Sequence, residues 1–239
     1  MIRKSAKLLL QFMGLKVNRV PRHLRFSRGI RGDEIVLPEK FKVDVVIDVG
    51  VAGGTPWLYQ QFPTQKLILI DPLFRNYSLY DLINGREYIQ HECALGNVDS
   101  STIEINYDVD RPSLSSLHER TELTKRQDHR IEKQVVQIKK LDQIVGESEP
   151  DSAKFGLKID TEGHELEVLK GATETLKKCE FVVCEASIEK RFNNSYNFSD
   201  LIVFMDSRGF KITRILRFGE DDGGVIRLAD VLFEKKSEG

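Results

Sequence analysis

Cysteine is scarce and unpatterned. Cys93, Cys179 and Cys184 form an odd set of 3 with no C-x-x-C pair. This argues against a disulfide framework and a zinc knuckle, and predicts part-buried thiols in a reducing cytoplasm. Long apolar runs are missing too. Leu8-Leu9-Leu10 is broken by Gln11, with no small-residue cleavage pattern behind it, so neither a spanning helix nor a secretory leader is expected. With 7 Pro and 17 Gly against 40% hydrophobic and 31% charged residues, the chain is neither collagenous nor disordered. G-x-G-x-x-G is absent, which counts against an NAD-binding turn, and arginines are not interleaved with exposed aromatics, so nucleic-acid binding is not expected.

What is present begins with length. The 239 residues suit one large domain with an extension, at about 150 residues per domain. The formal net charge of −1 hides an asymmetry. Residues 1–32 carry 9 basic residues and no acid; the other 207 carry 27 basic and 37 acidic, a net of −10. We therefore expect a basic extension over 1–40 and a domain over 41–239. Leu8, Leu9, Phe12 and Leu15 share one helical face, so the extension either packs on the acidic body or lies on an anionic membrane as a peripheral contact.

From residue 41 the chain alternates strand and helix. Residues 42–49, 66–71, 88–93, 155–160 and 181–185 read as strands, and about 55–62, 75–83, 141–145, 164–177 and 201–207 as helices. Residues 210–217 and 225–235 close the chain as a hairpin that adds an antiparallel strand at one edge. Residues 101–140 interrupt the pattern with two extended segments around a polar loop, an insertion that covers the domain. Near-continuous apolar strands separated by helices imply a doubly wound α/β fold, Rossmann-like and mostly parallel, with seven strands.

Such sheets take ligands beyond the carboxyl ends of their strands. Those ends read Asp48-Val49-Gly50-Val51-Ala52-Gly53-Gly54, Asp71-Pro72, Cys93-Ala94-Leu95-Gly96, Lys158-Ile159-Asp160-Thr161-Glu162-Gly163 and Glu185-Ala186-Ser187. The glycines permit a tight turn and close approach of a ligand. Asp71, 23 residues after Asp48, is placed to accept both hydroxyls of a ribose, so an adenosine-type ligand follows. The glycines alone do not choose between a dinucleotide and S-adenosylmethionine.

The ordered set Ile47-Asp48-Val49-Gly50 with Gly54, Ile70-Asp71-Pro72, Ala94-Leu95-Gly96, Ser115-Ser116-Leu117, Lys140-Leu141-Asp142, Lys158-Ile159-Asp160-Thr161-Glu162-Gly163-His164-Glu165 and Leu169-Lys170-Gly171-Ala172 resembles the FkbM family of S-adenosylmethionine-dependent methyltransferases. The resemblance spans about residues 43–187. Two positions depart from the family pattern: Val51-Ala52 stands where Ala-Asn is usual, and Asp71 where Glu is usual. The resemblance implies that Asp48, Gly50, Gly53 and Gly54 hold the methionine and ribose end of the cofactor, that Asp71 takes the ribose hydroxyls, and that Ala94 and Leu95 flank the adenine. It also implies O-methylation of a hydroxyl on a sugar, glycan or glycolipid, or another natural product.

Such a transfer needs an acceptor oxygen in line with the methyl group and a route for its proton. Asp160 and Glu185, ending neighbouring strands, are the candidate base and orienter, or share a divalent cation. Lys158 offsets their charge or pairs with Glu185. His164 is a further candidate base, with a surface position as the plainer reading. Ser115 and Ser116, with Arg111, Arg120 and Arg126, belong to the inserted roof and either contact substrate or form a solvated loop. Trp57, Tyr59 and Phe62 read as core. His23, His91, His118 and His129 show no ligand spacing and receive no role. A catalytically inactive binding module in polysaccharide assembly and an NAD-dependent oxidoreductase are the competing readings.

Overall fold

The computed structural model describes residues 35–125, 128–221 and 223–236. The basic arm over 1–32, His23 and Arg126 lie outside them. Ten strands order the described residues: β1 (Val45–Val49), β2 (Lys66–Ile70), β3 (Tyr88–His91), β4 (Ala94–Leu95), β5 (Ser101–Asp108), β6 (Ile131–Lys139), β7 (Phe155–Ile159), β8 (Cys179–Ser187), β9 (Phe210–Glu220) and β10 (Ile226–Lys235). The helices are α1 (Pro56–Gln61), α2 (Tyr80–Ile83), α3 (Leu141–Ser148), α4 (Glu165–Lys170), α5 (Thr173–Lys177) and α6 (Phe198–Ser207).

The main sheet has seven strands in the order β3-β2-β1-β7-β8-β10-β9. β1, β2, β3, β7 and β8 pair in parallel, and β10 runs antiparallel to both β8 and β9. The antiparallel strand is therefore not at the edge, where the sequence placed it. β10 slots between β8 and β9, so that the edge strand β9 runs with the majority.

Period-two side chains divide the buried residues into two cores. Val45, Ile47, Val49, Ile68, Ile70, Phe155, Leu157 and Ile159 face one side with Leu166, Val168 and Leu169 of α4. Val46, Leu67, Leu69, Phe181 and Val183 face the other with Leu58 and Tyr59 of α1 and with Ile35, Leu37 and Phe41. This two-sided burial is why the strands read as continuous apolar runs.

Local chemistry trims several expected elements. The helix expected over 164–177 is two helices, broken at Gly171, where a Cβ would sit 2.1 Å from the Gly96 carbonyl oxygen. The third strand stops at His91; Ala94 and Leu95 leave it to pair with Ile138 and Lys139 of β6. Residues 74–76 form a 3₁₀ turn ahead of α2 rather than one helix over 75–83. All three cysteines are free and buried, more deeply than expected. The insertion is a hairpin of β5 and β6, with β4, in a separate three-stranded sheet. Among the described residues no helix is long and apolar enough to cross a membrane.

Candidate active site

A cleft of about 1320 Å³ opens over the carboxyl ends of β1, β2, β7 and β8, and the insertion roofs it through residues 112–117. Its floor starts at the turn after β1. Gly50 has φ 72°, and a Cβ there would lie 1.7 Å from the Asp160 carbonyl oxygen, so only glycine lets the ends of β1 and β7 come this close. Ala52 also takes a left-handed φ, 44°, and its amide donates to Asp71 Oδ2 at 2.9 Å. The Leu73 amide donates to Asp71 Oδ1 at 2.7 Å. Burial raises the Asp71 pKa, and these two amides oppose the rise. Asp71, Gly50, Gly53, Gly54, Ala94 and Leu95 all line the cleft.

Asp48 has a different place. Its carboxylate is fully buried beneath the turn, with Oδ2 accepting from Tyr59 Oη at 2.6 Å and Oδ1 3.2 Å from Lys158 Nζ. Asp48 and Lys158 are register partners on β1 and β7, so both side chains leave the same face of the sheet. Lys158 also donates to the Gly50 carbonyl at 3.2 Å and sits 3.5 Å from Asp160 Oδ2. Burial alone would lower its pKa; Asp48 first, then Asp160, overturn that and raise it. The expected pairing of Lys158 with Glu185 is replaced by these contacts.

On the β7–β8 side the cleft is lined with paired charge. Glu185 Oε1 receives Arg191 Nη1 at 3.0 Å, and Glu162 Oε2 receives Arg191 Nη2 at 2.7 Å. Arg120 from the insertion reaches the same Glu162 oxygen at 3.2 Å. Arg217 of β9 sits 3.6 Å from Glu185 Oε2 and 2.9 Å from Asp230 Oδ2, because Glu185, Asp230 and Arg217 are successive register partners across β8, β10 and β9. Burial, then Asp160, hold the Glu185 pKa well above the usual range against the pull of Arg191. The Phe192 ring is flanked by the guanidinium carbons of Arg120 at 4.9 Å and Arg191 at 5.2 Å, a cation–π clamp between insertion and body.

Asp160, Glu162 and Glu185 bring one oxygen each within 4.8 Å of one another, a donor set of the type that holds a hard divalent cation. The guanidinium of Arg191 already spans two of these carboxylates, so positive charge is supplied without a metal, and the residues do not fit the cation expected between Asp160 and Glu185. Asp160 differs from its neighbours. Its side chain is 28% exposed against 10% for Glu185.

The roof is pinned from within. Ser116 Oγ donates to the Glu162 carbonyl at 2.6 Å and accepts from the His118 amide at 3.0 Å, while Ser115 Oγ accepts from the Asp108 amide at 3.0 Å. Both serines line the cleft, but their hydroxyls hold the loop. His164 lines the cleft as well, its Nδ1 2.9 Å from Nε2 of His118. Burial first, then His118, push the His164 pKa down to about 4. Tyr59 and Phe62 are core as expected, while Trp57 packs on the core and borders the cleft. Sequence reasoning missed Arg191, Arg217, Asp230 and His118. The alternation of charge at matched register across β8, β10 and β9 was a signal for two of them, Asp230 and Arg217, visible only once strand order is known.

No curated protein matches the chain. Solved structures similar to it include one titled a pericyclic reaction enzyme, at 10% identity and TM-score 0.39, covering 98% of this chain and 54% of that one. Another is LepI in complex with SAM, at 12% identity and TM-score 0.39, covering 97% of this chain and 51% of that one. The chain spans about half the length of each. A family model described as the methyltransferase FkbM domain matches residues 48–212, from the buried Asp48 to the edge strand β9, and the chain therefore belongs to the FkbM methyltransferase family.

Proposed function

We propose that the protein is an S-adenosylmethionine-dependent O-methyltransferase acting on a hydroxyl of a sugar, glycan or glycolipid. One observation supports the reading: a single cleft is lined by the glycine turn after β1, by the Asp71 carboxylate and by a partly exposed carboxylate, Asp160, at the carboxyl end of the central strand β7. The turn over Gly50–Gly54 and Asp71 would hold the cofactor, which supplies an electrophilic methyl group when bound. The unused lone pairs of the Asp71 carboxylate suit two ribose hydroxyls. Asp48 acts from below, fixing Lys158 under the turn.

Asp160 accepts the acceptor hydroxyl's proton. Glu185 is committed to Arg191, which leaves it the role of orienting the wall rather than taking the proton. The roof over residues 112–117 excludes water, and Arg120 and Ser116 hold it down on Glu162. His164, whose pKa is pushed down to about 4, is a weak base at neutral pH and adds no proton route that Asp160 lacks.

The test is a thermal-unfolding series with S-adenosylhomocysteine, NAD or no ligand, followed by methyl-labelled cofactor and a panel of glycans and glycolipids. A midpoint raised by S-adenosylhomocysteine alone, and label in an acceptor, are the expected results. Binding without label in any acceptor favours the inactive binding module. An Asp160→Asn variant should lose about 10²–10⁴-fold in turnover while keeping cofactor affinity. Full turnover in that variant removes Asp160 from the mechanism.

A further inference from the structure

The charge of this chain is split, and the fold shows where the two parts meet. Residues 1–32 carry 9 basic residues and no acid, while the remaining 207 carry a net of −10. The described residues begin at Ile35, and the stretch from there to β1 runs down one side of the sheet. Lys40 pairs with Glu234, and the Phe41 ring lies 4.8 Å from that of Phe181, both partners sitting at the amino end of β8. Ile35 lies toward the other end. The Gln61 side-chain amide donates at 2.9 Å to both the Ile35 and the Trp57 carbonyls, and its oxygen accepts from the Leu37 amide at 2.5 Å. Trp57 is in the first turn of α1 and borders the cleft with Pro56 and Gln60. The basic segment therefore joins the body at the mouth of the cleft, beside the glycine turn.

The groups around this mouth suit a lipid interface. Val36 and Tyr80 are exposed, and Trp57 is half-buried. Tyr80 opens α2, and its neighbours Leu79 and Leu82 lie over Gly54, so both aromatic rings flank the glycine turn. Tryptophan and tyrosine favour the headgroup layer of a bilayer, where an apolar ring and a polar tip are both satisfied. In the basic segment, Leu8, Leu9, Phe12 and Leu15 follow the spacing of one helical face, the pattern of a helix that lies in such an interface. An anionic surface draws the basic segment and repels the acidic body. The attraction acts at one point of the molecule, and that point turns toward the surface.

We infer that the protein docks on an anionic lipid bilayer through its basic N-terminal segment, with the cleft mouth at Trp57 and Tyr80 facing the lipid, and that its acceptor is a sugar carried on a membrane lipid. The acceptor clause rests on the methyltransferase reading above; the docking does not.

The experiment mixes the full chain with vesicles of phosphatidylcholine, alone or with phosphatidylglycerol, and reads binding by co-sedimentation. At low salt the anionic vesicles should bind at least about tenfold more tightly, and the preference should vanish near 1 M salt, where the screening length falls to about 3 Å. Arg22→Gln, Arg25→Gln, Arg28→Gln and Arg31→Gln, combined in the full chain, should weaken binding by at least about 100-fold, at roughly fivefold per charge. Trp57 is the chain's only tryptophan, so its fluorescence reports on the mouth alone. Its emission should move to the blue on anionic vesicles and be quenched by phospholipids brominated in their acyl chains. Binding without quenching overturns the orientation. Equal binding to both vesicle types, or to neither, overturns the docking and leaves the segment packed on the acidic body. Methyl-labelled cofactor should then mark a glycolipid in the vesicles faster than the same sugar free in water; equal rates overturn the acceptor clause. S-adenosylhomocysteine is titrated into the same samples. Docking without cofactor binding removes the methyltransferase reading and the acceptor clause with it, and cofactor binding without docking removes this inference alone.

Discussion

The two halves of the cleft are built from different materials. The β1–β2 half uses backbone: glycines, two amides donated to Asp71, and an apolar wall. The β7–β8 half uses side-chain charge, with Asp160, Glu162, Glu185 and Asp230 set among Lys158, Arg191, Arg217 and Arg120. The first half depends on conformations that only a few residues tolerate, the second on charges that are costly to bury unless every member is present.

The sharpest way to break the comparison is to remove one cation from the charged half. Arg191 is the only group seen to touch both Glu162 and Glu185 among the described ion pairs. Arg191→Met keeps the volume and leaves two buried carboxylates uncompensated, a loss of about 3–5 kcal/mol in unfolding free energy by urea titration. Adding Glu162→Gln should restore part of it, since one of the two orphaned charges is then gone. A single-variant loss below about 1 kcal/mol would mean that water or Arg217 can stand in for Arg191, and that the half is less interlocked than its distances imply.

A pH titration sharpens the comparison at the seam between the halves. The His164 pKa falls from its ordinary 6.5 in the unfolded chain to about 4 in the fold. The unfolded state therefore binds the extra proton first, and the stability this group contributes is present above about pH 6.5 and lost as pH falls toward 4. The full effect is on the order of a few kcal/mol, at 1.36 kcal/mol per pKa unit. Asp71 and Glu185, whose pKa values are raised, push the other way on acidification. The comparison is thus between wild type and His164→Asn: urea midpoints of the variant should fall less steeply between pH 6.5 and 4. Identical slopes would show that the ring is protonated in the fold without cost.

The same division decides what the sequence made legible. Alternation of apolar strands and helices gave the doubly wound fold, because burial on both faces writes a continuous local pattern. The glycine turn and Asp71 were legible because backbone chemistry is local: Gly50, Ala52 and Asp71 sit at adjacent strand tips. In the charged half the strand-end groups Asp160, Glu185 and Lys158 were legible, but most of their partners were not. Arg191 reaches Glu162 from 29 positions away, and His118 reaches His164 from 46. Asp230 meets Glu185 and Arg217 only because β10 enters between β8 and β9, an order that hairpin periodicity does not reveal. Asp48 shows the converse error. Its place in a glycine motif suggested ligand contact, while its register opposite Lys158 makes it the anchor beneath the turn.

The smallest expected effect tests whether the backbone half tolerates its own departure from the family pattern. Ala52 stands where asparagine is usual, and its φ of 44° lies in the left-handed region that costs an ordinary L-residue about 1–2 kcal/mol. Asparagine visits that region more readily, because its short polar side chain bonds locally. Ala52→Gly removes the Cβ penalty outright, and its greater freedom in the unfolded chain takes some of the gain back, roughly 0.4–1 kcal/mol. A net stabilisation of about 1 kcal/mol or less follows, read as a higher urea midpoint at unchanged slope. The Ala52 amide must keep its bond to Asp71 in both variants, so Ala52→Asn should likewise hold or raise stability while leaving the Asp71 carboxylate in place. A loss of stability in both would mean that the Ala52 methyl group makes a packing contact worth more than the strain it carries.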